Sequence, residues 1–189
     1  EMFPLGFGEF LDFRGVAHRR RASFEEMRYD PLEYERLRGH YEDFLAFGGM
    51  PDVVLENRAE VKREILNDIF SSYINLDVKS LADFRKLDEM QRLLAALAMR
   101  IGNKLDTSKL ALISGISRPT VKEYLEFLEK TYLICQLPAH TSPDRAAALS
   151  RKLYFLDNGI ASILANPGDG AMFENAVFNQ LRSYGELRY

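Results

Sequence analysis

The spacing of apolar residues predicts a chain of amphipathic helices, broken late by two short apolar runs. A first helix is predicted over Phe7 to Phe13, inside a loop-rich lead-in. Pro31 opens a second with Tyr34, Leu37, Tyr41, Phe44 and Leu45 on one face, and Gly48, Gly49 and Pro51 stop it. From Ala59 to about Asp77, Val61, Ile65, Ile69 and Tyr73 recur every fourth residue. Leu66 and Phe70 widen that stripe, so this helix is expected to be buried on more than one side. Asp88 followed by Gln91 reads as a capping box. It opens a helix striped by Leu87, Met90, Leu94, Leu97 and Ile101, and Gly102 ends it.

The stretch from Thr107 to Ile134 changes the picture, because each position in it has a specific job. Ala111 sits where a helix must approach a second closely, and Gly115 supplies the left-handed backbone that ends the first helix. Ile116 fills the gap, Ser117 caps the next helix and Pro119 lies in its first turn. Val121, Leu125 and Leu128 then hold that helix on the core. This is a helix-turn-helix signature. Tyr132 to Leu137, ended by Pro138, and Lys152 to Leu156 read as strands. Between them the polar, alanine-rich Thr141 to Ser150 reads as a wing, with Pro143, Asp144, Arg145 and Arg151 at its tip. A short helix runs to Leu164, Asn166 to Gly170 is a linker, and a last helix carries Phe173, Val177, Leu181 and Tyr184 on one side.

The expected fold is mainly α: a helical bundle leading into a winged helix-turn-helix with a small β-hairpin, then a C-terminal helix. The expected divisions are a lead-in over 1–30, a helical segment over 31–85, the winged helix-turn-helix over 86–157, and a linker with its helix over 158–189.

Composition narrows the function more than the fold. With 47% apolar and 28% charged residues in 189, the chain has an ordinary globular mix. Cys135 is the single cysteine, which excludes an internal disulfide framework and a multi-cysteine zinc site. Between Ile134 and Leu137 it reads as a buried structural thiol, and a reducing, cytoplasmic home fits. No signal peptide or run of about 18 apolar residues suggests export or a membrane. The start at Glu1 and the stop after a helical pattern suggest a fragment. A net charge of −3 means that any basic patch must be local.

The candidate chemistry is therefore recognition. Gly6 and Gly8 lack the third glycine of a dinucleotide loop, and no P-loop occurs. The basic run His18, Arg19, Arg20 and Arg21 lies near Glu25 and Glu26 and reads as a solvated loop. Glu64 and Asp68 share a face but read as wet surface beside Lys62 and Arg63. The three histidines have no metal-ligand spacing, and no nucleophile elbow is present, so catalysis by this chain alone is not expected. The second helix of the helix-turn-helix presents Ser117, Arg118, Thr120, Lys122 and Glu123. Arg118 suits a guanine edge, a contact that discriminates by about 1–3 kcal/mol. Lys109, Lys122 and Lys130 suit phosphates of double-stranded DNA, with Arg145, Arg151 and Lys152 contributing from the wing. Against this, Glu123, Glu126 and Glu129 on the same helix cancel the lysines, which tips the reading toward a structural or protein-docking winged helix.

Several short stretches, taken together and in order, resemble AAA+ ATPases of the archaeal and bacterial type with an appended C-terminal region. Pro4-Leu5-Gly6-Phe7-Gly8-Glu9-Phe10 is similar to P-L-S-F-x-E-F at the end of that family's ATPase module. Gly48-Gly49-Met50-Pro51 resembles its G-G-F-P turn. Ile69-Phe70-Ser71-Ser72-Tyr73, the helix-turn-helix, Lys152-Leu153-Tyr154-Phe155-Leu156-Asp157-Asn158-Gly159 and Phe173-Glu174-Asn175-Ala176-Val177-Phe178 follow. The resemblance implies an ATPase module before Glu1, a winged helix, and then the first helix of a restriction-endonuclease-like domain. It implies ATP and Mg for the parent, and no cofactor or metal in this chain. Glu174 would correspond to that domain's first-helix acid, with its other acids and lysine beyond Tyr189. Asn75 and Leu76 replace the glutamate and arginine usual before Asp77. The expected role is a non-catalytic recognition region that binds double-stranded DNA, its own ATPase module or a protein partner. The alternative is an enzyme active only as the complete polypeptide, with ATP hydrolysis upstream and a metal-dependent nuclease downstream.

Overall fold

The computed structural model describes residues 3–19, 29–75, 87–141 and 151–189. Arg20, Arg21, Glu25 and Glu26 of the basic run, Leu76 and Asp77, and Pro143, Asp144 and Arg145 of the wing loop lie outside those residues.

Nine α-helices and two strands occur among the described residues. They are α1 (Phe7–Phe13), α2 (Pro31–Phe47), α3 (Pro51–Leu55), α4 (Ala59–Tyr73), α5 (Leu87–Ala98), α6 (Thr107–Ser114), α7 (Arg118–Lys130), β1 (Ile134–Leu137), β2 (Lys152–Phe155), α8 (Asn158–Leu164) and α9 (Asp169–Leu181). The fold is thus mainly helical with one small antiparallel sheet. Its register pairs Ile134 with Phe155 and Leu137 with Lys152. Residues 102–105 run along the other edge of β2. Gly102 and Leu105 donate to the carbonyls of Leu153 and Arg151 at 2.8 Å each.

The helix starts follow their caps. Asp30 accepts from the N–H groups of Leu32 and Glu33 in front of α2, and Asp106 does the same for Ser108 and Lys109 in front of α6. Asp88 has no such place, because it lies inside α5. The stripe behind it holds, with Met90, Leu94, Leu97 and Ile101 all buried. The side chain of Leu87 is outside the described set.

Two stripes sit differently from the pattern reading. On α4 the deepest positions are Lys62 and Leu66, while Ile65, Ile69 and Tyr73 are half-buried. Lys62 can be the inward residue because its ammonium meets Asp43 of α2 at 2.6 Å. On α9 the buried residues are Asn175, Ala176 and Phe178, whereas Phe173 stays exposed, as does Tyr184 in the 3-10 turn after the helix ends. The face turned inward is centred on an amide that pairs with a strand edge. α9 also begins at Asp169, within the stretch read as linker. Tyr132 has φ 59, so the chain bends there and the strand starts only at Ile134.

The main core joins α5, α6 and α7 to both strands, and takes in Ala161 and Phe178 from α8 and α9. A smaller aromatic cluster holds α1 on α2 through Phe10, Leu11 and Phe44. Burying a Leu or Phe side chain is worth about 1.5–3 kcal/mol. α8 packs against α2, α4, α5 and β2, and so ties the first half of the chain to the second.

Candidate functional site

The α6–α7 corner is rigid underneath and open on top. Gly115 adopts φ 77, ψ 14 and its N–H returns to the carbonyl of Ala111. Nothing crowds its missing side chain, so glycine is needed there for the backbone angle alone. Arg92 of α5 donates to the Ser114 carbonyl at 3.1 Å, and the Ser114 hydroxyl to Leu110 at 2.7 Å, which satisfies the end of α6. Ser117 caps α7 through the N–H of Thr120 at 3.3 Å, and its hydroxyl meets that of Thr120 at 2.8 Å. Val121, Leu125 and Leu128 are fully enclosed below, with Ile116 between the helices.

Most of the residues singled out for recognition lie on the open side. Lys109, Ser117, Arg118 and Lys122 are exposed and Thr120 is half-buried. Among the described residues no ion pair ties down Arg118 or Lys122. Asp106 shares this end, its carboxyl held below the usual range by the Lys109 N–H, with Arg118 adding in the same sense. Glu123 and Glu126 are exposed alongside. Glu129 is not, since it accepts from the backbone and side chain of Gln136 at 2.9 and 3.0 Å.

The hairpin cations are committed elsewhere. Arg151 lies 4.0 Å from Glu129, and Lys152 lies 3.3 Å from Glu174. Arg145 falls outside the described residues. What remains exposed on the open face is Lys109, Arg118, Lys122 and Lys130 against Asp106, Glu123 and Glu126, an excess of one positive charge. Next to it on α6 stand Leu112, 85% exposed, and Ile113, 46% exposed. Pattern reading passed over both, because α6 is short and its outer face interrupts no period.

A second polar cluster lies inside the molecule, and sequence reasoning missed it. Asp157 caps α8 by accepting from Ile160 at 2.9 Å, and accepts from Gly49 at 2.8 Å across 108 residues of chain. Burial raises its carboxyl above the usual range, against the pull of these N–H groups. Asn175 donates to the Phe155 carbonyl and accepts from its N–H, both at 2.9 Å, and donates to Asn158. Asn158 in turn reaches the carbonyls of Leu45 and Met172. A side chain on Gly159 would come within 2.1 Å of the Phe47 carbonyl, and one on Gly49 as close to Leu5. The Gly48-Gly49, Asp157-Asn158-Gly159 and Glu174-Asn175 segments are therefore a clasp.

Glu174 also works within the fold. It accepts from the Tyr154 hydroxyl at 2.8 Å, and burial first, then this bond, pushes that phenol above its ordinary range. Among the described residues no three His, Cys, Asp or Glu side chains converge as metal ligands. Cys135 is half-buried, less enclosed than expected, and burial pushes its thiol up. No helix among the described residues is long and apolar enough to cross a membrane.

The chain belongs to the family described as a domain of unknown function (DUF8612), which matches residues 38–169. It is 29% identical to an uncharacterised protein of Methanocaldococcus jannaschii over 191 residues, covering 98% of this chain and 42% of that protein. It is 25% identical to an uncharacterised protein of Haemophilus influenzae over 166 residues, covering 85% of this chain and 38% of that one. The chain thus spans about two fifths of the length of these curated relatives. No solved structure matches it.

Proposed function

We propose that residues 87–155 of this family member form a winged helix that acts as a docking module. Its place would be the non-catalytic C-terminal region of an AAA+-like ATPase in the cytoplasm. The order of α5, α6, α7, β1 and β2, with the 102–105 segment on the edge of β2, supports the winged-helix reading. The observation that carries docking is the open face itself: rigidly backed, within one charge of balance, and flanked by exposed Leu112 and Ile113. Nearly charge-balanced surfaces with exposed aliphatic groups suit a protein partner, whereas phosphate contacts call for a larger basic excess. The partner proposed is the ATPase module of the same parent polypeptide, with ATP and Mg held there. The relatives' additional length leaves room for such a module.

Double-stranded DNA is the second reading, because Arg118 and Lys122 stand exposed at the start of α7. Anisotropy of a labelled duplex across a salt series separates the two. Docking predicts no specific DNA complex, and tight association of the chain with the rest of its parent, lost in Leu112→Asp/Ile113→Asp. DNA reading predicts binding that falls by about 0.9 logarithmic units per phosphate contact for each tenfold rise in salt, and that weakens in Arg118→Ala/Lys122→Ala.

A further inference from the structure

A polar cleft lies far along the chain from α7, between the end of α1, the middle of α2 and the α3–α4 junction. Its volume is about 390 Å³, and it is lined by Arg14, Arg36, His40, Asp43, Asn57 and Lys62, with Gly39 leaving its mouth open. Apart from the His40 ring, every side chain that lines it is polar or charged, so an apolar ligand finds little to bury against. Three permanent cations face a single carboxylate, and that carboxylate is already neutralised inside the protein. Asp43 takes Arg14 at 2.9 Å and Lys62 at 2.6 Å, while Lys62 is only 2% exposed and sits over the Phe47 ring.

Arg14 is fixed in place as well. It donates to the carbonyls of Val54 at 2.9 Å and Glu56 at 3.2 Å, using Nε and Nη2 and leaving Nη1. Arg36 spends Nη1 on the Ala17 carbonyl at 2.7 Å, leaving Nε and Nη2. Two guanidinium groups with spare donors, one of them immobilised, border one open cleft. Planar, charge-assisted donors of this kind select tetrahedral or planar oxyanions. Holding Arg14 beforehand removes the ordering cost that a free side chain would bring.

We propose that this cleft binds the phosphate group of a small phosphorylated ligand between Arg14, Arg36 and His40. The volume exceeds what one phosphate needs, which leaves space for the group that carries it. The site shares no residue with the α6–α7 face, so its failure would leave the docking reading untouched.

Isothermal titration of the full chain with orthophosphate, with adenosine monophosphate, and with chloride at equal ionic strength tests the proposal. Saturable orthophosphate binding in about the millimolar range is expected, with none for chloride. Tighter binding of the nucleotide than of orthophosphate places the phosphate on a nucleotide; equal binding points to free phosphate, and both uphold the site. Arg36→Gln should weaken binding about tenfold through the loss of charge-assisted bonds, at an unchanged melting temperature. Should that variant fail to fold, Arg36→Lys keeps the charge without the fork and should also bind more weakly. Chloride matching orthophosphate, or wild-type affinity in folded Arg36 variants, would overturn the proposal.

Discussion

The buried clasp and the open corner are both polar, yet they are built on opposite plans. Asp157 and Asn158 reach back across the chain to Gly49 and Leu45, and with Asn175 they spend their hydrogen-bonding capacity on backbone and on one another. Arg118, Lys122, Glu123 and Glu126 come from little more than two turns of one helix and leave their charges in solvent. The first arrangement fixes a fold, since a buried polar group without partners costs more than its bond gains. The second is free to meet something else. Motif-like residues are thus poor guides to chemistry here, and unspent donors are better ones.

The comparison breaks most visibly at Asn175. Asn175→Leu leaves the Phe155 N–H and the Asn158 amide oxygen without these partners, while the Phe155 carbonyl keeps Asn179, at about 1–3 kcal/mol for each group left unsatisfied. Denaturant melts should show a loss of several kcal/mol or an unfolded chain. Gly159→Ala comes next. Its Cβ would press within 2.1 Å of the Phe47 carbonyl and 2.8 Å of Leu66, so α8 must shift from α2 and α4 at a cost of about 1–3 kcal/mol.

Asp157 sharpens the contrast through pH. Its folded pKa lies above the ordinary 3.8 because burial penalises the charged form. The contribution to stability is fully present below that ordinary value and is lost as pH rises through the folded one. Urea melts of wild type and Asp157→Asn should therefore show the wild-type advantage shrinking as pH climbs from the ordinary carboxylate value toward neutrality. The smallest effect is expected on the open face. Arg118→Ala/Lys122→Ala should change stability by no more than about 0.5 kcal/mol per site in the same melts, since both side chains are exposed.

Local patterning made the corner legible in advance. Gly115, Ile116, Ser117 and Val121 act through neighbours within a few residues, and each occupies the place its type predicts. Phe7 to Phe13 was legible for the same reason. The clasp was not, because its meaning lies in pairings such as Gly49 with Asp157 that no window spans. The α9 stripe misled because an apolar period was assumed to point inward, whereas Asn175 does so with the strand edge as its partner. Lys62 misled in the same way: its inward turn is intelligible only with Asp43 opposite. The apolar edge of the corner, Leu112 and Ile113, left no signal beyond being apolar on a short helix.

The central claim is that the α6–α7 corner is offered to a protein and not kept for the fold. Titration calorimetry of the chain against the ATPase module proposed as its partner, for wild type and Leu112→Asp/Ile113→Asp, tests it directly. The account predicts a saturable complex for wild type and at least about tenfold weaker binding for the variant, with the two chains melting alike. No complex with wild type, or undiminished binding by the folded variant, would contradict it.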